Sequence, residues 1–223
     1  RRFVACEITP NVEAWEAQAS FPLELYRKAA EIGLLGLRFP EAWGGNDGDL
    51  FMTIIAAQEL ARCGAGGVLA SLLSHTIGCP PIVNVGSEEI KRKVLPPVLR
   101  GEKISALAIT EPSGGSDVAN LKTTARRDGV HFVLNGSKTF ITSGMRADFY
   151  TVAVRTGGPG AGGVSLLLVD KGTPGFTQTR LEKMGWLCSD TATLHFDECR
   201  VPVDNLVGNA AGGFDEPGAP AGA

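Results

Sequence analysis

Only three histidines and five cysteines occur among the 223 residues, and no two cysteines are spaced as CxxC. The odd number and wide spacing of Cys6, Cys63, Cys79, Cys188 and Cys199 argue against a disulfide framework and a cysteine zinc site, and favour a reducing compartment. No spacing of His with Asp, Glu or Cys resembles a metal site. Positive charge is not in excess, since 21 Lys and Arg face 24 Asp and Glu for a formal charge of -3, which argues against nucleic acid as a partner. Residues 64–87 contain no Asp, Glu, Lys or Arg at all. Pro80-Pro81, His75, Asn84 and several glycines interrupt that stretch, so it reads as buried soluble helices and not as a membrane span. Arg1 to Ala5 give way at once to Cys6-Glu7-Ile8, an apolar run too short for a signal peptide, and a cytoplasmic location is expected. With 43% hydrophobic and 20% charged residues, the composition is that of a globular protein and excludes wholesale disorder.

The pattern changes near Gly101. Before it, Pro22 opens a segment in which Leu25, Ala29 and Ile32 recur at helical spacing and which stops at Gly33 and Gly36. Asp47 and Asp49 can cap a second helix, Leu50 to Cys63, whose long apolar run implies burial on most sides. Ser87 with Glu88 and Glu89 suits a third helix start, and Lys91, Arg92 and Lys93 lie toward its other end before Pro96-Pro97. After Lys103 come short β-rich runs at 104–110, 130–134, 149–155, 164–169 and 191–196. Asp128-Gly129 and Asn135-Gly136 are hairpin signals, because Gly and Asn tolerate positive φ. The glycine-rich segment 157–163 reads as a long hairpin tip. The expectation is an α+β chain with an N-terminal helical domain over 1–103, an antiparallel β domain over 104–208 and a Gly/Pro/Ala-rich tail over 209–223 that forms no packed element.

Two segments could carry chemistry. In Thr110-Glu111-Pro112-Ser113-Gly114-Gly115-Ser116-Asp117 a strand runs into a glycine turn. Backbone N–H groups and the Thr110, Ser113 and Ser116 hydroxyls there could donate to phosphate or carbonyl oxygens. Taken alone, the segment is more simply a β-turn. In Asn135-Gly136-Ser137-Lys138-Thr139-Phe140-Ile141-Thr142, alternation puts Phe140 and Thr142 on one face, where a flat heteroaromatic ring could stack and be hydrogen-bonded. Such a face is, taken alone, more often packed core. Glu111, placed before Pro112 at a strand end, suggests a structural or ion-pair role. His75 reads as a satisfied core or pocket-wall histidine. His131 and His195 lack a partner cluster, and Ser71, Ser74 and Ser165 lack the GxSxG context of a nucleophile elbow.

Together these segments resemble the acyl-CoA dehydrogenases, a flavoprotein family. The likeness runs through Gly33-Leu34-Leu35-Gly36-Leu37, Pro40-Glu41-Ala42-Trp43-Gly44-Gly45, Thr110-Glu111-Pro112 with Gly115-Ser116-Asp117, and Asn135-Gly136-Ser137-Lys138 with Ile141-Thr142. It continues through Lys183-Met184-Gly185, Ser189-Asp190-Thr191, Arg200-Val201-Pro202 and Asn205-Leu206-Val207-Gly208, to about Phe214. The resemblance implies FAD as cofactor. It assigns Leu107, Ile109 and Thr110 to the strand beside the flavin ring, and Gly115 and Ser116 to the turn near the pyrophosphate, with Ser116 also facing the pantetheine arm of the substrate. It places Phe140 against the isoalloxazine, at a position where the family often has Trp, puts the Thr142 hydroxyl near flavin N5, and counts Ile141 between them among the cofactor-binding residues.

The resemblance further implies acyl-CoA as substrate, electron-transfer flavoprotein as acceptor, and a dimeric or tetrameric parent. Where the family frequently carries an Arg between Gly185 and Ser189, this chain has Trp186, Leu187 and Cys188. The resemblance places the catalytic glutamate in a helical C-terminal domain beyond Phe214, so no catalytic residue is expected within this sequence and the 223 residues alone are expected to be silent. A non-catalytic remnant or acyl-CoA-binding module of the same fold, and a related flavin oxidase or monooxygenase, are the alternatives.

Overall fold

The computed structural model describes residues 1–208, so the expected 209–223 tail lies outside the described residues. A π-helical turn, Val4–Ile8, leads into α1 (Val12–Ala17) and α2 (Glu24–Glu31). The buried stripe of α2 is Leu25, Tyr26 and Ala29; Ile32, expected to share it, caps the helix end and is exposed. Helix α3 (Leu50–Ala61) begins at Asp49, whose carboxylate accepts from Met52 N at 2.8 Å. Its apolar run is not buried as expected. Leu50, Phe51, Met52, Ile54 and Ile55 are exposed and only Leu60 is buried, because apolar side chains encircle this helix while a single side of it meets the core.

The charge-free stretch forms α4 (Gly66–Leu72), α5 (His75–Gly78) and α6 (Pro80–Val85). Among the described residues no single helix is long and apolar enough to cross a membrane; α4 followed by 75–85 passes only as a pair bent by 43°. Val68, Leu72, His75 and Ile82 of this pair are buried in the protein itself. Helix α7 (Glu88–Leu99) starts where expected, with Ser87 Oγ accepting from Ile90 N at 3.3 Å, but it continues through Pro96-Pro97. Burial of Leu95, Val98 and Leu99 along one face outweighs the backbone bonds those prolines cannot donate.

Strands β1 (Ser105–Ala108), β2 (Thr124–Asp128), β3 (His131–Thr142), β4 (Phe149–Arg155), β5 (Val164–Asp170), β6 (Phe176–Arg180), β7 (Thr191–Pro202) and β8 (Leu206–Val207) form one eight-stranded sheet. Its order is β6-β7-β3-β2-β4-β5-β8, with β1 added alongside β4. Pairing is antiparallel except for β1 with β4 and the single Thr124–Arg155 pair of β2 with β4. Asp128-Gly129 makes the expected hairpin between β2 and β3, and 157–163 joins β4 to β5. Asn135-Gly136 does not turn the chain. It lies within β3 opposite a bulge in β7, where Asp197 and Glu198 face Asn135; Asn135 exchanges two bonds with Glu198, and a Cβ on Gly136 (φ 142°) would stand 2.7 Å from Thr123 Cα. Helices and sheet share their cores: one buried cluster runs from Trp15 and Phe21 to Tyr150 and Phe196, and another joins Phe39, Ile82 and Leu95 to Phe149 and Leu168.

Candidate functional site

The end of β1 and the middle of β3 are tied by an ion pair. Lys138 is fully buried, and its Nζ lies 2.8 Å from Glu111 Oε1 and donates to the Ile109 carbonyl at 3.1 Å. Glu111 also accepts from Thr123 N at 2.8 Å, from Lys122 N and from Ser113 Oγ at 3.4 Å. Burial raises the Glu111 carboxyl, but the Lys138, Thr123 and Lys122 hydrogen bonds override it and hold the group down at about 2. A carboxylate so fixed is a poor proton acceptor near neutral pH.

The pair fixes the turn above it. Glu111 and Gly114 close it with reciprocal backbone bonds of 3.0 and 3.1 Å, and Thr139 N donates to the Thr110 carbonyl at 2.8 Å. Gly115 lies against Thr110, where an added Cβ would come within 3.2 Å of Thr110 Cγ2. Gly115 and Ser116 are exposed, whereas the Ser113 hydroxyl is turned to Glu111. Leu107, paired with Thr151 of β4, and Ile109 and Thr110 are half-buried.

A second irregularity in β3, between Lys138 and Ile141, presents the rest of the site. Phe140 has φ 58° and is 70% exposed, and Ser143 has φ 59°. Two left-handed non-glycine residues bracketing Thr142 hold strain in place at a local cost of roughly 1–2 kcal/mol each. Phe140 therefore points outward, and Thr142 lines a cavity of about 460 Å³ with Leu69, Leu73, Ile77 and Trp186. Ile141, between them, lies on the opposite face of the strand with its side chain in the core at 2% exposure. A neighbouring cavity of about 450 Å³ shares Leu73 and Thr76 with the first but touches none of the expected site residues.

Three contributors were not read as such from the sequence. Lys138 is one, and between Ser137 and Thr139 nothing beside it in the sequence signals burial. The others are Trp186 and the Arg146–Asp190 pair at 2.7 Å, which links the loop after Thr142 to β7 and leaves no local pattern. Among the described residues there is no cluster of three or more potential metal ligands.

His75 is buried, its Nε2–H donates to the Leu35 carbonyl at 2.8 Å, and its ring stacks on Phe39 with centroids 5.5 Å apart. Burial pushes it down to about 4 against the raising effect of that carbonyl. Below pH 6.5 the unfolded chain takes a proton that the native ring refuses, so stability is lost as pH falls from 6.5 to 4, by about 3 kcal/mol in all. Urea midpoints of the wild type should drop across that window and those of His75→Gln should stay flatter there; equal slopes would refute the assignment.

Residues 1–102 match the N-terminal domain of acyl-CoA dehydrogenases and residues 106–199 their middle domain. An acyl-CoA dehydrogenase of Bacillus subtilis (strain 168) is 41% identical over 218 residues, covering 96% of this chain and 57% of its own. A crystal structure of a putative acyl-CoA dehydrogenase from Mycobacterium smegmatis superposes with a TM-score of 0.91 at 54% identity, over 94% of this chain and 55% of that one. A glutaryl-CoA dehydrogenase from Mycobacterium smegmatis in complex with FADH2 gives 0.87 at 33% identity, over 95% and 54%. The fold is thus that of flavoprotein acyl-CoA dehydrogenases, a helical region followed by a mostly antiparallel sheet. The chain belongs to the acyl-CoA dehydrogenase family, of which it carries the N-terminal and middle domains. It spans about half the length of the curated relatives it matches.

Proposed function

We propose that the whole protein is an FAD-dependent acyl-CoA dehydrogenase and that these residues form one wall of its flavin and thioester site. The observation that carries this reading is the strained presentation of Phe140 and Thr142 beside the Thr110–Gly115 turn. A planar cofactor fits what the chain offers: an exposed aromatic face, a hydroxyl next to it, and an exposed Gly115-Ser116 turn whose backbone and Ser116 hydroxyl can meet phosphate oxygens. FAD would supply the hydride acceptor.

In this reading Leu107, Ile109 and Thr110 flank the ring, Gly115 and Ser116 hold the pyrophosphate, and Ser116 also meets the pantetheine arm. Phe140 would pack on the isoalloxazine, Ile141 would belong to the same segment of the cofactor site, and Thr142 would donate near N5. The bond to Lys138 speaks against Glu111 as the α-proton base, and the family resemblance puts that base in the C-terminal domain beyond Phe214. The exposed apolar face of α3 is then the surface that the remainder of the protein covers. The same reading sets the domain boundary at residues 103 and 104, electron-transfer flavoprotein as acceptor, a dimer or tetramer, and a cytoplasmic location.

Thr142→Val in the whole protein tests the reading by deleting a hydroxyl while keeping shape. The lost bond is worth on the order of 1 kcal/mol, so flavin reduction by acyl-CoA should slow about fivefold or more and the flavin absorption band should shift. An unchanged spectrum and rate would remove the assignment.

A further inference from the structure

We propose that Trp186 is a specificity-determining residue of the Thr142 cavity and that Glu16 is the positioning residue that holds it there. The proposal rests on the reading of the site just given. Trp186 is 58% exposed and lines the cavity opposite no charged side chain; Leu69, Leu73 and Ile77 supply the apolar remainder. Its backbone is left-handed, φ 54°, which is unfavourable for a bulky residue. An exposed indole in a strained conformation persists only where surrounding bonds over-determine it.

Those bonds are present. The Glu16 carboxylate, from α1, accepts from Leu187 N at 2.6 Å, from Cys188 N at 3.4 Å and from the Cys188 thiol at 2.8 Å. Burial, reinforced by Glu16, pushes that thiol up to about 12, so it remains a protonated donor and is no nucleophile. From the other side Lys183 Nζ donates to the Trp186 carbonyl at 2.9 Å and to the Ser189 carbonyl at 2.6 Å. Beneath the loop, the first turn of α4 is glycine for a steric reason. A Cβ on Gly66 would stand 2.6 Å from indole Cε2, and one on Gly67 would stand 3.1 Å from Trp186 Cα and 3.0 Å from Cys188 Sγ. The indole is therefore a fixed wall. It limits the bulk of the apolar acyl group that can lie between α4 and Thr142, and Glu16 sets its position without reaching the cavity lining.

The test uses the whole protein and two thioether analogues, S-butyl-CoA and S-hexadecyl-CoA, which lack the acidified α-proton and bind without turnover. Affinities come from titration calorimetry on wild type, Trp186→Ala, Trp186→Phe, Glu16→Ala and the Glu16→Ala/Trp186→Ala pair. Trp186→Ala should raise the affinity ratio of the long over the short analogue about tenfold, the effect of 1.4 kcal/mol. Trp186→Phe should restore most of the wild-type ratio. Glu16→Ala should shift it the same way but have no effect once Trp186 is already Ala, which a merely structural role of Glu16 would not produce. An unchanged ratio in both Trp186 variants, or a Glu16→Ala shift that persists without the indole, overturns the proposal. Failure of the wild type to bind either thioether would instead overturn the proposed function beneath it.

Discussion

Glu111→Gln is expected to destabilise the protein by about 3–5 kcal/mol, since it leaves the Lys138 ammonium buried with no counter-charge. Thr123 N and Lys122 N would then face an amide that satisfies them less well, and Lys138, which also donates to Ile109, would pull on the strand end that carries Thr110. The loss should show as a lowered urea midpoint with little change in slope. Replacing both partners, Glu111→Gln with Lys138→Met, should recover most of it, because an apolar side chain of similar length leaves no charge to desolvate. A single-variant loss below about 1 kcal/mol would mean that the ammonium finds water or another partner. Wild-type stability should also fall with acid in a window below that of His75. The Glu111 carboxyl ionises near 4.5 in the unfolded chain and near 2 in the native one, so its contribution is complete above 4.5 and disappears toward 2.

Asp190→Ala is expected to cost a similar amount, about 3–5 kcal/mol, and to disturb the site as well as the fold. The Asp190 carboxylate lies 2.7 Å from Arg146 Nε and accepts from Met145 N at 2.8 Å and Arg146 N at 3.1 Å, while its main-chain carbonyl accepts from Ser143 N at 2.9 Å. Arg146 in turn sits 4.5 Å over the Phe21 ring and reaches Ser20 Oγ at 3.2 Å, so the pair joins the helical half to the sheet directly after Thr142. Without the carboxylate two backbone N–H groups and a nearly buried guanidinium lose their acceptor, and the left-handed Ser143 is less firmly held. Denaturant unfolding measures the first effect, and hydrogen exchange of the 143–147 amides measures the second. Protection there equal to wild type would show that the turn stands without Asp190.

Much of the helical half was legible because its signals are local. Asp49 and Ser87 cap the helices they precede, and Leu25 and Ala29 mark the buried side of α2. Strands β4 and β5 were legible as apolar runs buried in the middle of the sheet. Strands β2 and β6 were not, since Thr124–Asp128 and Phe176–Arg180 are polar and largely exposed and are strands by virtue of their neighbours. Asn135-Gly136 misled because the dipeptide is a tight-turn signal, whereas here β3 runs on through it and the extra residue sits in β7, where Asp197 and the left-handed Glu198 face Asn135.

The sequence by itself determined the order of helical and β-rich halves, the glycine turn at 113–116, the pairing of an aromatic with a hydroxyl at 140 and 142, a structural role for Glu111 from its place before Pro112, and a family resemblance. Tertiary structure decided the rest. The apolar run of α3 lies at the surface because, among the described residues, only its Leu60 side meets the core. Ile141 faces the core because it alternates with Phe140 and Thr142, and the sheet surface opposite theirs packs on the buried cluster. Lys138 is an internal cation because Glu111 lies 27 residues away in sequence and 2.8 Å away in space. Trp186 stands beside Thr142 because Glu16, 171 residues before Leu187, accepts its neighbour's N–H. Local patterns record which backbone conformations a segment favours, but such partners are separated by most of the chain and leave no periodic trace in it.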